Sequence, residues 1–189
     1  MARIVSMKLQ SRLLLFSSYL WELGEGMLGP LFAIFSQRVG GDVFDITIAW
    51  SAFLIATGVF IIIIGEISDK VSKEKFLVTG YALNALLTFG YLLVHTQTEL
   101  LIIQVGLGFA TALATPTWDA LYSIYEDKGE AGFLWSLDSG GKDIVTGIAI
   151  LIGGYVLVHF SFTTLFIIMG CIQVAATAYV FPLLWKKAD

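Results

Sequence analysis

Six apolar runs, each about as long as a bilayer is thick, leave this chain of 189 residues very few folds to choose from. The clearest two are Ile46 to Ile64 and Phe76 to Val94, parted by the charged stretch Gly65 to Lys75. A helix rises about 1.5 Å per residue, so a run of that length crosses about 30 Å of hydrocarbon. Inside hydrocarbon every backbone N–H and C=O needs an internal partner, and a helix supplies them all. Two spans joined so tightly must be antiparallel neighbours. Soluble domains keep about a quarter of their residues charged. Here 14% are charged and 57% hydrophobic, with a mean hydropathy of +0.83. The expected fold class is therefore an all-α integral membrane protein. It reads as one bundle over residues 1–189, with spans at about 13–35, 46–64, 76–94, 100–122, 133–158 and 162–182.

The first apolar run is too long for a signal-peptide core, lacks a small-residue cleavage site after it, and is expected to remain as the first span. Gly24, Gly26, Gly29 and Pro30 interrupt it, as membrane helices tolerate where neighbours take up the freed backbone groups. The fourth span carries Gly106, Gly108, Ala110, Ala112 and Ala114, small residues that permit close helix approach, and bends at Pro116. Gly26 with Pro30 and Gly108 with Pro116 form a faint echo between the halves, which suits a three-plus-three inverted repeat. Cys171, the single cysteine, reads as a small buried hydrophobe. No metal, cofactor or nucleic acid is expected, and Cys171 has no metal-ligand neighbour.

Orientation follows from the basic residues, which favour the cytoplasmic side. Nine of them, Arg3, Lys8, Arg12, Lys70, Lys73, Lys75, Lys128, Lys186 and Lys187, flank one side, and Arg38 alone flanks the other. Both termini are expected to be cytoplasmic, in a prokaryotic inner membrane.

Charge inside a membrane is costly and marks functional candidates. Spans one, four and five carry Glu22, Glu25, Asp119, Asp138, Lys142 and Asp143, whereas spans two, three and six carry none between their ends. The charged three are expected to line a wet space, and the third and sixth to face lipid. At 100° per residue, Glu22 and Glu25 share one stripe, as do Gln104, Thr111, Thr115, Trp118 and Asp119. Gln104 reads as a helix-to-helix hydrogen bond, and Trp118 either stacks on a solute ring or packs. Asp138 and Lys142, four apart, can pair. Glu22 and Lys142 each lie about 14 Å from the cytoplasmic end, so an ion pair from Glu22 or Glu25 to Lys142 is expected. Two carboxylates about 60° apart at mid-depth repel unless one takes up a proton, which makes them candidates for a proton pathway as well as for a solute. The same charges could instead lock helices together.

Gly65, Ile67, Ser68, Asp69, Lys70, Lys73 and Lys75 resemble the signature loop between the second and third helices of major facilitator superfamily transporters. Ser72 stands where that family usually has a second glycine, and Glu74 interrupts the basic run. The resemblance covers essentially the whole chain but one six-helix half of a usual twelve-helix member. It implies that spans one and four line a solute cavity, that two and five shape it, and that three and six lie outside. It also implies that Gly65, Asp69, Lys70 and Lys73 serve a cytoplasmic gate. Gln104 replaces an arginine of many proton-coupled members, and Ala149 and Ile150 replace a Gly-Pro pair of drug antiporters, so the likeness does not extend to a drug/proton antiporter.

A half bundle has nothing to rock against. The expected partner is a second copy, making a homodimeric secondary transporter that works by alternating access on a small, cationic solute or a proton. The alternative is a non-transporting membrane subunit that pairs with a different protein. No intramembrane protease motif is present, so no enzyme is expected.

Overall fold

In a computed structural model that describes residues 7–68, 70–126 and 131–185, the chain is built from helices alone. They are α1 Leu9–Gly26, α2 Leu31–Arg38, α3 Val43–Ser68, α4 Lys73–Gly90, α5 Gln97–Tyr125, α6 Ala131–His159 and α7 Phe162–Val180, with 3₁₀ turns at Tyr91–Leu93 and Phe181–Leu184. Five stretches among the described residues are long and apolar enough to cross a membrane: Val43–Ser68, Lys73–Leu93, Gln97–Tyr125, Ala131–His159 and Phe162–Leu184. The stretch expected as one first span is instead two helices. Pro30, which has no N–H, follows the residues where α1 ends and caps the start of α2. α1 falls short of the crossing class because Arg12, Glu22 and Glu25 all lie within its 18 residues.

Local chemistry sets the helix ends. Asp42 Oδ1 accepts from the N–H groups of Phe44 and Asp45, and Asp45 Oδ2 accepts from the Asp42 N–H, which closes the start of α3. Thr96 and Glu99 form the same reciprocal cap at α5, and the Ser161 hydroxyl accepts from the Thr164 N–H at α7. Gly40, with φ at +90°, turns the chain after α2 in a conformation that favours glycine.

α3 runs to Ser68 and α4 starts at Lys73, so the charged stretch between them is mostly helical and its connection is short. Gly65 belongs to the last turn of α3, where its carbonyl accepts from the Ser68 hydroxyl. Lys73 reaches back to the Ser68 carbonyl at 3.2 Å, and the Lys70 N–H donates to the Ile67 carbonyl. Ser72 opens α4 through its carbonyl, which accepts from the N–H groups of Lys75 and Phe76. Asp69 lies outside the described residues, as do Arg3, Lys128, Lys186 and Lys187.

Each central helix packs on two others. α1 lies against α6 and α7, α5 lies against α3 and α4, and α4 and α7 pack on each other. Small residues allow these approaches. A Cβ on Gly26 would stand 2.9 Å from Ala149 Cβ on α6, and one on Gly108 would stand 2.8 Å from the Phe53 carbonyl on α3. Two large apolar clusters form most of the core, one around Leu14, Leu77, Tyr81, Trp118, Tyr122 and Leu183, the other around Met27, Phe35, Tyr91, Leu100 and Phe166, with a smaller third at Ile64, Ala112 and Leu113.

The third and sixth spans, expected to face lipid, are α4 and α7, which are more covered within the bundle than α3 and α6. The least covered helices are α3 and α6, with 11% and 17% of their most apolar windows buried, against 44% for the α4 span and 33% for the α7 span. α4 and α7 do show apolar side chains outward, among them Leu86 and Val174. They also carry buried Asn84 and Gln173 inward, and neutral amides leave no trace in a charge count. Cys171 is likewise exposed rather than buried, on the outward face of α7.

Candidate functional site

Polar side chains of α1, α5 and α6 meet apolar and aromatic ones in a cleft on the side of α3 and α6. Its larger part, about 250 Å³, is walled by Glu22, Glu25 and Gly29 of the first stretch, Trp50 and Phe53 of α3, and Gln104 and Thr111 of α5. A smaller part, about 70 Å³, is walled by Ser18, Glu22, Thr115, Trp118, Asp119 and Lys142. Trp21 and Glu22 belong to both, so the two run together. Helical period explains the assembly. Residues at three- and four-residue spacing on α1 and on α5 each form one stripe, and the two stripes face a common space.

Lys142 does not pair with Glu22 or Glu25. Among the described residues its ammonium donates to Asp138 Oδ2 at 2.9 Å and lies 4.1 Å from the centre of the Trp118 ring. The i,i+4 geometry wins because both partners sit on one helix and no backbone adjustment is needed. Asp138 is buried behind the wall and faces the Ser18 hydroxyl at 3.4 Å. Trp118 is buried too, stacked on Tyr122 with its indole N–H donating to the Leu14 carbonyl, so its rings serve packing. Asp119, Thr115 and Asp143 are exposed.

The two glutamates part company. Glu22 Oε2 accepts from the Thr146 hydroxyl of α6 at 3.4 Å. Glu25 Oε1 accepts from Asn84 Nδ2 of α4 at 2.8 Å and from Gln173 Nε2 of α7 at 3.1 Å. Gln173 also donates to the Trp21 carbonyl, and Gly24 leaves the room it needs, since a Cβ there would stand 2.5 Å from Gln173 Nε2. Gln104 accepts from the Tyr91 hydroxyl at 2.9 Å, the helix-to-helix bond expected of it. Sequence reasoning missed Asn84 and Gln173. The available signal was their polarity in the middle of apolar runs, which charge counting passes over.

A family model described as Major Facilitator Superfamily matches residues 14–189. The chain belongs to the major facilitator superfamily. It is 28% identical over 132 residues to an uncharacterised MFS-type transporter of Methanocaldococcus jannaschii, covering 70% of this chain and 34% of that protein. It is 22% identical to the multidrug resistance protein MdtG of Erwinia billingiae and 22% identical to that of Dickeya zeae, covering 89% of this chain and 42% of each relative. The chain thus spans well under half the length of these curated relatives. Family and apolar helices together make it a multi-pass integral membrane protein of a transporter family rather than an enzyme family.

Proposed function

We propose that the chain is one bundle of a secondary transporter, and that the cleft between α1 and α5 is half of its solute site. The observation that carries this reading is the convergence of Glu22, Glu25, Thr111, Thr115, Asp119 and Lys142 on one cleft that the bundle leaves open between its two least covered helices. Membrane proteins place ionisable side chains toward water-filled cavities, not acyl chains. α1 and α2 together make the sixth crossing. The packing supports a three-plus-three inverted repeat: exchanging the first crossing with α5, α3 with α6 and α4 with α7 returns the same main pairs of packed helices.

A second bundle closes the cleft, and we propose that it is a copy of this chain related by a twofold axis. Each carboxylate then occurs twice, which suits a small cationic solute or a proton. Gly65, Asp69, Lys70 and Lys73 latch the two bundles at the cytoplasmic side, with both termini on that side of a prokaryotic inner membrane. The second reading, pairing with a different bundle, draws on the chain's span of 34% to 42% of its relatives' length.

Reconstitution of the purified protein alone into liposomes tests the function. Uptake of a small organic amine under an imposed pH gradient should exceed that of protein-free vesicles, and Glu25→Gln should lower it by about tenfold, the worth of one charge-assisted hydrogen bond. Uptake no greater than in empty vesicles would rule out an autonomous carrier.

A further inference from the structure

Glu25 is held in an unusual way for a carboxylate that faces a cavity. Both of its side-chain donors, Asn84 Nδ2 and Gln173 Nε2, bind the same oxygen, Oε1. Among the described residues Oε2 accepts no hydrogen bond, and Glu25 lines the cleft. The amide on α7 is placed at some expense. Gln173 is fully buried, its own Oε1 has no partner among the described residues, and Gly24 is needed to let it approach α1. An apolar side chain would pack there without an orphaned acceptor.

We propose that Asn84 and Gln173 are positioning residues that determine specificity: they occupy one carboxylate oxygen and present the other, alone, to the solute. The inference rests on the reading of Glu25 as a solute contact. Its chemical consequence is selection among cations. A guanidinium binds a carboxylate best through two parallel N–H bonds to both oxygens, and here one oxygen is taken. An ammonium is a compact charge that needs a single acceptor. The site therefore takes a protonated amine in preference to a guanidinium of the same size.

Binding of benzylammonium and benzylguanidinium to the purified full chain, measured by calorimetry in detergent, tests this. Wild type should bind the ammonium more tightly by about tenfold, one charge-assisted hydrogen bond. Glu25→Gln should weaken both probes. Asn84→Ala and Gln173→Leu, examined singly so that failure of one to fold leaves the other, should each narrow the preference by removing one of the two donors on Oε1. Glu25-dependent binding of both probes with no preference, or a preference that survives both amide substitutions, would overturn the positioning role and leave the transporter reading intact. If neither probe binds and Glu25→Gln changes nothing, Glu25 is no solute contact and both ideas fall.

Discussion

Lys142 is tolerable inside the bundle because Asp138 and the face of Trp118 share its charge. The pair is asymmetric: Lys142 keeps 27% of its side-chain surface, whereas Asp138 keeps 6%. Removing the lysine would strand a buried carboxylate, which costs more than the pair itself contributes. We therefore expect Lys142→Met to lower unfolding stability in detergent by about 3 kcal/mol. Adding Asp138→Asn should restore most of that loss, because the stranded charge disappears. Equal denaturation midpoints for wild type and Lys142→Met would show that the aspartate does not need its partner.

Among helices, the crossing of α3 and α5 depends on what Gly108 lacks. A side chain there would press on backbone, with the Phe53 carbonyl at 2.8 Å and the Thr57 nitrogen at 3.0 Å. Backbone cannot rotate aside as a flexible side chain can, so α3 would have to move outward. Overpacking of this kind costs about 1–3 kcal/mol, and Gly108→Val should lower the melting temperature accordingly. Gly58, on the same helix α3, provides the contrast. Nothing lies within 4 Å of a Cβ placed there. Gly58→Ala should be neutral or stabilise by about 0.5–1 kcal/mol through reduced backbone freedom. A melting temperature for Gly108→Val equal to that of Gly58→Ala would mean that the two helices do not rely on close approach.

The whole molecule leaves two helices largely uncovered, and this decides where a second bundle would dock. Ile55 is 67% exposed on α3, the least covered helix, and Leu86 is equally exposed on α4. Cys171 is exposed as well and must be replaced before cysteine chemistry can be read. In a Cys171→Ala background, Ile55→Cys should give disulfide-linked dimers in membranes and Leu86→Cys should not, if copies meet across the cleft. Exclusive adducts of Ile55→Cys with other membrane proteins would favour a different partner bundle. Cross-linking equally strong at both positions would indicate random collision in the bilayer and no defined dimer.

Residence in the membrane, the all-helical class, the charged connection after α3 and the pairing of Asp138 with Lys142 were all legible in the sequence. Each depends on something local: the cost of placing a polar group in hydrocarbon, or two residues one turn apart on one helix. Period placed Glu22, Glu25, Thr111 and Asp119 on polar stripes, and the structure brings those stripes to one cleft. Partners across helices were not legible. A helix's own period does not state its rotation against its neighbours, so the further pairing expected of Lys142 with Glu22 or Glu25 did not form, and Cys171 was assigned to the wrong face. Asn84 and Gln173 are uncharged, and hydropathy averages them into the apolar runs that contain them. The sequence by itself decided what this chain is dissolved in and which groups are buried at a cost. Which groups offset that cost was decided only when the helices packed, because the distance between two helices belongs to neither of them alone.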